Sequence, residues 1–123
     1  MSTQSYQDLD VWKRAMALAE KAYSITKPYP KEEMFGMTSQ IRRAASSVPA
    51  NIAEGWARHN SNEFAHFLRI AHGSLRELET HLILSARIKL CSKEAIVPLT
   101  EDIVIISKQL LSLMRHLKGE KHA

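Results

Sequence analysis

TSQIRRAASSVPANIAEGWAR, residues Thr38–Arg58, sets its apolar residues at helical spacing: Ile41, Ala45, Val48, Ile52, then Gly55 and Trp56. Gln40, Arg43, Ser47, Asn51, Glu54 and Arg58 recur every three or four residues on another face. A continuous helix would therefore carry an apolar stripe and a separate polar stripe. Pro49 stands in its middle. A proline there removes one backbone donor and crowds the carbonyl of Ala45, at a cost of about 3 kcal/mol. Val48, β-branched and ahead of a proline, also resists the helical well. Such a stretch is either bent or broken into two shorter helices. The reading adopted is one helix, kinked at Pro49.

Working outward, Val11, Ala15, Leu18, Ala22 and Ile25 alternate spacings of four and three, the seam of a bundle helix. That predicts a first helix over about 9–26, capped by Asp8 or Asp10 and stopped by Pro28. The connection Lys31–Met37 has room for a turn of helix. Asn60 and Glu63 have capping-box spacing, with Ser61 as an alternative cap. A long third helix follows over about 62–90, with Phe64, Phe67, Ala71, Leu75, Leu78 and Leu82 as its seam. Ser92 would cap a fourth helix over about 93–118, whose seam runs Ile96, Leu99, Ile103, Ile106, Leu110, Leu113 and Leu117. Short connections predict an all-α, up-down-up-down four-helix bundle forming one domain over 1–123.

The fourth helix also carries Val97, Val104, Ile105, Leu111 and Met114 away from its seam. A helix apolar on two sides is usually covered on both, so these residues are the candidate oligomer interface; the alternative is apolar side chains scattered on the surface, as monomers also carry them.

SQIRRAASSVPANIAEGWAR together with FAHFLRIAHGSLRELETHL carries a family resemblance. The matching residues are Ser39, Gln40, Arg42, Arg43, Ala44, Ser47, Pro49, Asn51, Ile52, Ala53, Glu54, Gly55 and Arg58, then Phe64, Phe67, Ala71, Gly73, Ser74, Glu77, Leu78 and Glu79. On them, and on the opening LDVWKRA, the chain resembles the four-helix-bundle proteins encoded within intervening sequences of 23S rRNA genes. The resemblance implies a ring-like homo-oligomer, a pentamer, with no reaction attached to it. Similar bundles in diversity-generating retroelements look like basic rings that bind nucleic acid and a reverse transcriptase, and no signature here places the chain in that branch.

Net charge is +4 and the isoelectric point near 9.4, compatible with an anionic partner without requiring one. Cys91 is the single cysteine, so no intrachain disulfide forms, which fits a reducing cytoplasm. The polar, acidic opening is not a signal peptide, and no apolar run reaches membrane-spanning length. Cytoplasmic location with no membrane partner is the expectation.

If the second and third helices form an antiparallel hairpin about residues 59–60, Gly73 comes opposite Ser46 and Ser47, and Glu77 opposite Arg42 and Arg43. Gly73 facing this small tract predicts a close backbone approach, so leucine there should cost several kcal/mol by overpacking. Arg43, Ser47, Asn51, Glu54, Arg58, Ser74 and Glu77 form the expected polar network at the crossing. It is either a site for chemistry or a set of groups that satisfy one another and fix how the helices cross. The second reading is preferred, because buried polar groups are normally paired.

Glu63-x-x-His66 has the spacing of a di-iron ligand pair, but no second Glu-x-x-His exists to complete a site. Cys91 has no evident base beside it, and Ser46, Ser47 and Ser74 have no histidine at a plausible distance. There is no phosphate-binding glycine loop. No catalytic residue, metal or cofactor is expected, and His59, His66, His72, His81, His116 and His122 read as surface or rim residues. Lys13, Arg14, Arg42, Arg69, Arg76, Arg87, Lys89, Arg115, Lys118 and Lys121 are scattered along the chain. Of these, Arg69, Arg76, Arg87 and Lys89 are the nucleic-acid candidates, with rRNA or another nucleic acid the expected ligand and a ring multiplying their charge. The alternative is a protein-interaction scaffold or accessory subunit, for example of a reverse transcriptase.

Overall fold

The computed structural model describes the chain over residues 5–122, with side chains through residue 119. The side chains of Lys121 and His122 lie outside the described residues. Four helices make the fold: α1 (Asp10–Thr26), α2 (Met37–Ala57), α3 (Ser61–Arg87) and α4 (Val97–His122). Single 3-10 turns precede α1 at Tyr6–Asp8 and α2 at Lys31–Glu33. Each helix packs against two neighbours, α1 on α2 and α4, α3 on α2 and α4, the square arrangement of an antiparallel bundle.

The core is the set of seams facing one another. Leu18, Ile41, Ile52, Leu68, Leu75, Leu78, Leu82, Ile103, Ile106 and Leu110 are fully buried. Each such side chain contributes about 1.5–3 kcal/mol by leaving water. α2 is one unbroken helix across Pro49, so the two-helix alternative is excluded.

Helix ends depart from expectation in instructive ways. Leu9, not an aspartate, is the N-cap of α1; Asp10 is already helical, accepting from Arg14 Nε at 2.9 Å and from Gln109 Nε2 at 2.7 Å. Asn60 Oδ1 accepts from the Glu63 amide at 3.0 Å and caps α3. α3 stops at Arg87 because Lys89 turns left-handed at φ 67. The amides of Lys89 and Leu90 then reach back to the carbonyls of Ala86 and Ser85, a Schellman closure. α4 begins at Val97 rather than 93. Ser92 does accept from the Ala95 amide at 3.1 Å, but it closes a turn ahead of the helix. Pro98 then falls in the first helical turn, where its missing amide hydrogen would have been unpaired anyway.

The expected close approach at Gly73 is not there. Gly73 is exposed, and a Cβ added to it meets nothing within 4 Å. The hairpin register is nevertheless close to that expected, for Ser47 Oγ lies 2.8 Å from Ser74 Oγ. Hairpin arithmetic fixes height along a helix but not azimuth. The facing position goes to Ser74, about 100° further round at 3.6 residues per turn.

Close approach occurs instead at Gly55, near the closed end of the α2–α3 hairpin. A Cβ there would lie 2.7 Å from Phe67 Cβ, 2.9 Å from Phe64 Cδ1 and 3.2 Å from the Phe64 carbonyl oxygen. Gly73→Ala is therefore expected to stabilise the protein, by up to about 1 kcal/mol, since only helix propensity changes. Urea denaturation followed by circular dichroism measures this, and a loss of stability would mean that Gly73 is sterically confined after all.

Candidate nucleic-acid interface

The polar residues of α2 divide into separate groups. At the helix crossing, Asn51 Nδ2 donates to the Ser47 carbonyl at 2.8 Å and to Ser47 Oγ at 2.9 Å, and Ser47 meets Ser74 across the hairpin. One turn on, Arg58 donates to Glu54 at 2.9 Å and its guanidinium stacks over the Phe67 ring at 5.0 Å. Arg43 does not reach Glu77: its guanidinium donates to Gln40 at 3.3 Å, and Glu77 is exposed on α3. Both residues project from the exposed sides of their helices, so the expected ion pair across the hairpin does not form. Arg42 turns toward α1 instead, donating to Thr26 Oγ1 at 2.9 Å and lying over Tyr23 at 4.7 Å. The crossing thus holds neutral, mutually bonded groups.

A serine–histidine contact that sequence reasoning missed lies between α3 and α4. His72 Nε2 and Ser107 Oγ are 2.8 Å apart, and Arg76 donates to the same Oγ at 3.0 Å. Since the guanidinium can only donate, the Ser107 proton is free to point at His72, which then accepts through Nε2. Ser107 is buried and engaged from both sides, so the pair braces α3 against α4. Burial first, and the Arg76 charge second, hold His72 below its ordinary value. The unfolded chain binds this proton more readily, so the stability contributed by a neutral His72 is complete above its unfolded value, near 6.5, and is lost as pH falls through the folded value. The midpoint of thermal unfolding is expected to drop more between pH 7.5 and 5.5 in the natural protein than in His72→Gln, whose amide oxygen can still accept. Parallel curves would remove His72 from the account.

At the end of the bundle near the α3–α4 connection, the Tyr29 hydroxyl and Ser85 Oγ are buried, and burial first, with Cys91 beside it, pushes Tyr29 up to about 12. Cys91 is half-buried nearby and precedes the start of α4, so it does not sit on that helix's amino end. Among the described residues no group of three or more His, Cys, Asp and Glu is placed to hold a metal ion. Glu63 and His66 are both exposed on α3.

Three of the positive residues come together in one place. A groove of about 480 Å³ between the start of α3 and the last turns of α4 is lined by Arg69, Arg115 and Lys118, with Ser61, Asn62, Ala65, Leu111, Met114 and Leu117. Among the described residues no acidic side chain lines it, and none of the three cations is held by a hydrogen bond or ion pair. The other candidates lie elsewhere. Arg76 is tied to Glu79 at 3.1 Å and to Ser107. Arg87, exposed at the far end of α3, is about 27 Å from Arg69 at 1.5 Å per residue, and Lys89 is exposed just beyond it. The same hairpin arithmetic applied to α3 and α4 would have put Arg115 and Lys118 beside Arg69.

The family model described as 23S rRNA-intervening sequence protein matches residues 7–112. The chain belongs to this family. A crystal structure of a protein of unknown function from the S23 ribosomal protein family of Bacteroides thetaiotaomicron is similar to it, with a TM-score of 0.75 and 26% identity, covering 85% of this chain and 97% of that one. No curated protein matches the chain in sequence.

In this member of the family, the apolar residues outside the core of α4 are not all alike. Val97, Val104, Ile105 and Leu111 are exposed, whereas Met114 is half-buried and packs on the core. Val97, Val104 and Leu111 recur every seven residues on one face of α4, and Leu111 reaches the basic groove. On the opposite side of the bundle, α1 and α2 enclose a second groove of about 580 Å³. Tyr6, Trp12, Met16, Tyr23 and Pro49 are among its walls, and Tyr6 packs edge-on against Trp12 at 5.3 Å and Trp56 at 6.2 Å. None of the helices among the described residues is long and apolar enough to cross a membrane.

Proposed function

We infer that this family member is a non-enzymatic homo-oligomer, a pentamer on the pattern its resemblance implies, that holds structured rRNA or other nucleic acid by phosphate contacts. The observation that carries the reading is the groove lined by Arg69, Arg115 and Lys118: three unpaired cations, with no acid among the described residues that line the groove, favour a polyanion. No base-reading element accompanies them, so binding is weakly sequence-selective. One protomer with net charge +4 is a modest electrostatic ligand, and several grooves in one assembly act together by raising effective concentration.

Fluorescence anisotropy with a structured rRNA fragment and an unrelated DNA duplex, each at two salt concentrations, tests this. Both ligands should bind at low salt, with log affinity falling linearly against log salt. A flat titration for both from an assembled oligomer would discard the nucleic-acid reading and leave the protein-interaction scaffold, with a reverse transcriptase as one partner to try.

A further inference from the structure

The large exposed hydrophobic side chains fall into two sets on opposite sides of the bundle. One set, Met16, Tyr23 and the 93% exposed Phe35 among it, lies on α1 and the α1–α2 connection; the other, on α3 and α4, includes Val97, Val104 and Leu111. α2 contributes none among the described residues. A two-fold dimer would need a single self-complementary patch, whereas two unlike patches suit a head-to-tail contact that closes into a ring.

The charges beside the two patches give the contact a direction. Glu20 and Lys27 line the α1–α2 groove, and Glu101 and Lys108 flank Val104 on α4. All four are exposed, and none is held by an ion pair or side-chain hydrogen bond in the protomer. Each pair is seven residues apart, about 10.5 Å along its helix, and each reads acid then base. Laid parallel, the pairs set like charges against like. Laid antiparallel, each acid meets a base. In the bundle α1 and α4 already run antiparallel, and a cyclic axis along the bundle points every copy the same way. Such an axis makes α1 of one copy antiparallel to α4 of the next.

We propose that the α1–α2 groove of one copy receives the Val97 and Val104 part of the α4 stripe of a second copy, with α1 and that α4 antiparallel, Glu20 against the second copy's Lys108 and Lys27 against its Glu101. This rests on the homo-oligomer reading above and names the surfaces and register that build it. Apolar burial holds the contact, and the charge pairs select its orientation by penalising the wrong one.

The test is a charge exchange that leaves net charge unchanged. Sedimentation velocity over a concentration series compares the natural protein with E20K/K27E, with E101K/K108E and with all four changes together; circular dichroism checks that each remains helical. Each exchange alone sets like charges together at both pairs and should raise the dissociation midpoint about tenfold or more; the combination should return it to within about twofold. A natural protein that stays monomeric throughout would overturn the homo-oligomer reading itself. An oligomer indifferent to both exchanges would overturn only this contact, as would a combination that fails to recover.

Discussion

Gly55→Leu is expected to destabilise the protein by about 3 kcal/mol or more, the upper range of overpacking penalties. Even a Cβ at this position lies 2.7 Å from Phe67 Cβ and 3.2 Å from a backbone oxygen of α3, so the helices must part before a side chain can enter. Phe67 cannot step aside freely, because the Arg58 guanidinium lies over its ring. Gly55→Ala should lose less, since alanine returns about 1 kcal/mol of helix propensity against the overpacking. Urea denaturation of both variants measures the effect, and stability equal to or above that of the natural protein would show that the hairpin is not closed on Gly55.

The second large effect is on binding. Reversing Arg69, Arg115 and Lys118 to glutamate is expected to weaken nucleic-acid affinity about 100-fold or more at low salt, and to flatten the salt dependence by roughly 0.9 for each duplex phosphate no longer neutralised. The fold should be nearly indifferent, because none of the three is paired within it and all are exposed. Anisotropy titrations at several salt concentrations, with a thermal melt as control, separate the two effects. Unchanged affinity in a folded variant would remove the groove from the binding surface.

The bundle was legible because helical periodicity is a long-range property of the chain. The α3 and α4 seams repeat over many turns, and burial follows them: Leu75, Leu78, Leu82, Ile103, Ile106 and Leu110 are all inside. Boundaries were less so, since a left-handed Lys89 leaves no composition signal of the kind a glycine would. The hairpin register set Gly73 opposite Ser46 and Ser47, one residue from Ser74, which Ser47 meets, and so misassigned the close approach to Gly73 and an ion pair to Arg43 and Glu77. Those errors share one cause: register gives height, and side-chain direction depends on rotation about each axis. The basic groove was missed for another reason. Its cations come from the start of α3 and the end of α4, so they are distant in sequence and adjacent only after the bundle closes.

Sedimentation velocity of a fluorescent structured rRNA fragment, read at the fluorophore's wavelength with the protein at micromolar concentration and low salt, tests assembly and binding together. The fragment should move with the mass of a protein oligomer plus RNA, and fall back to its free rate as salt is raised. A fragment that sediments at its free rate beside an assembled oligomer would contradict the account.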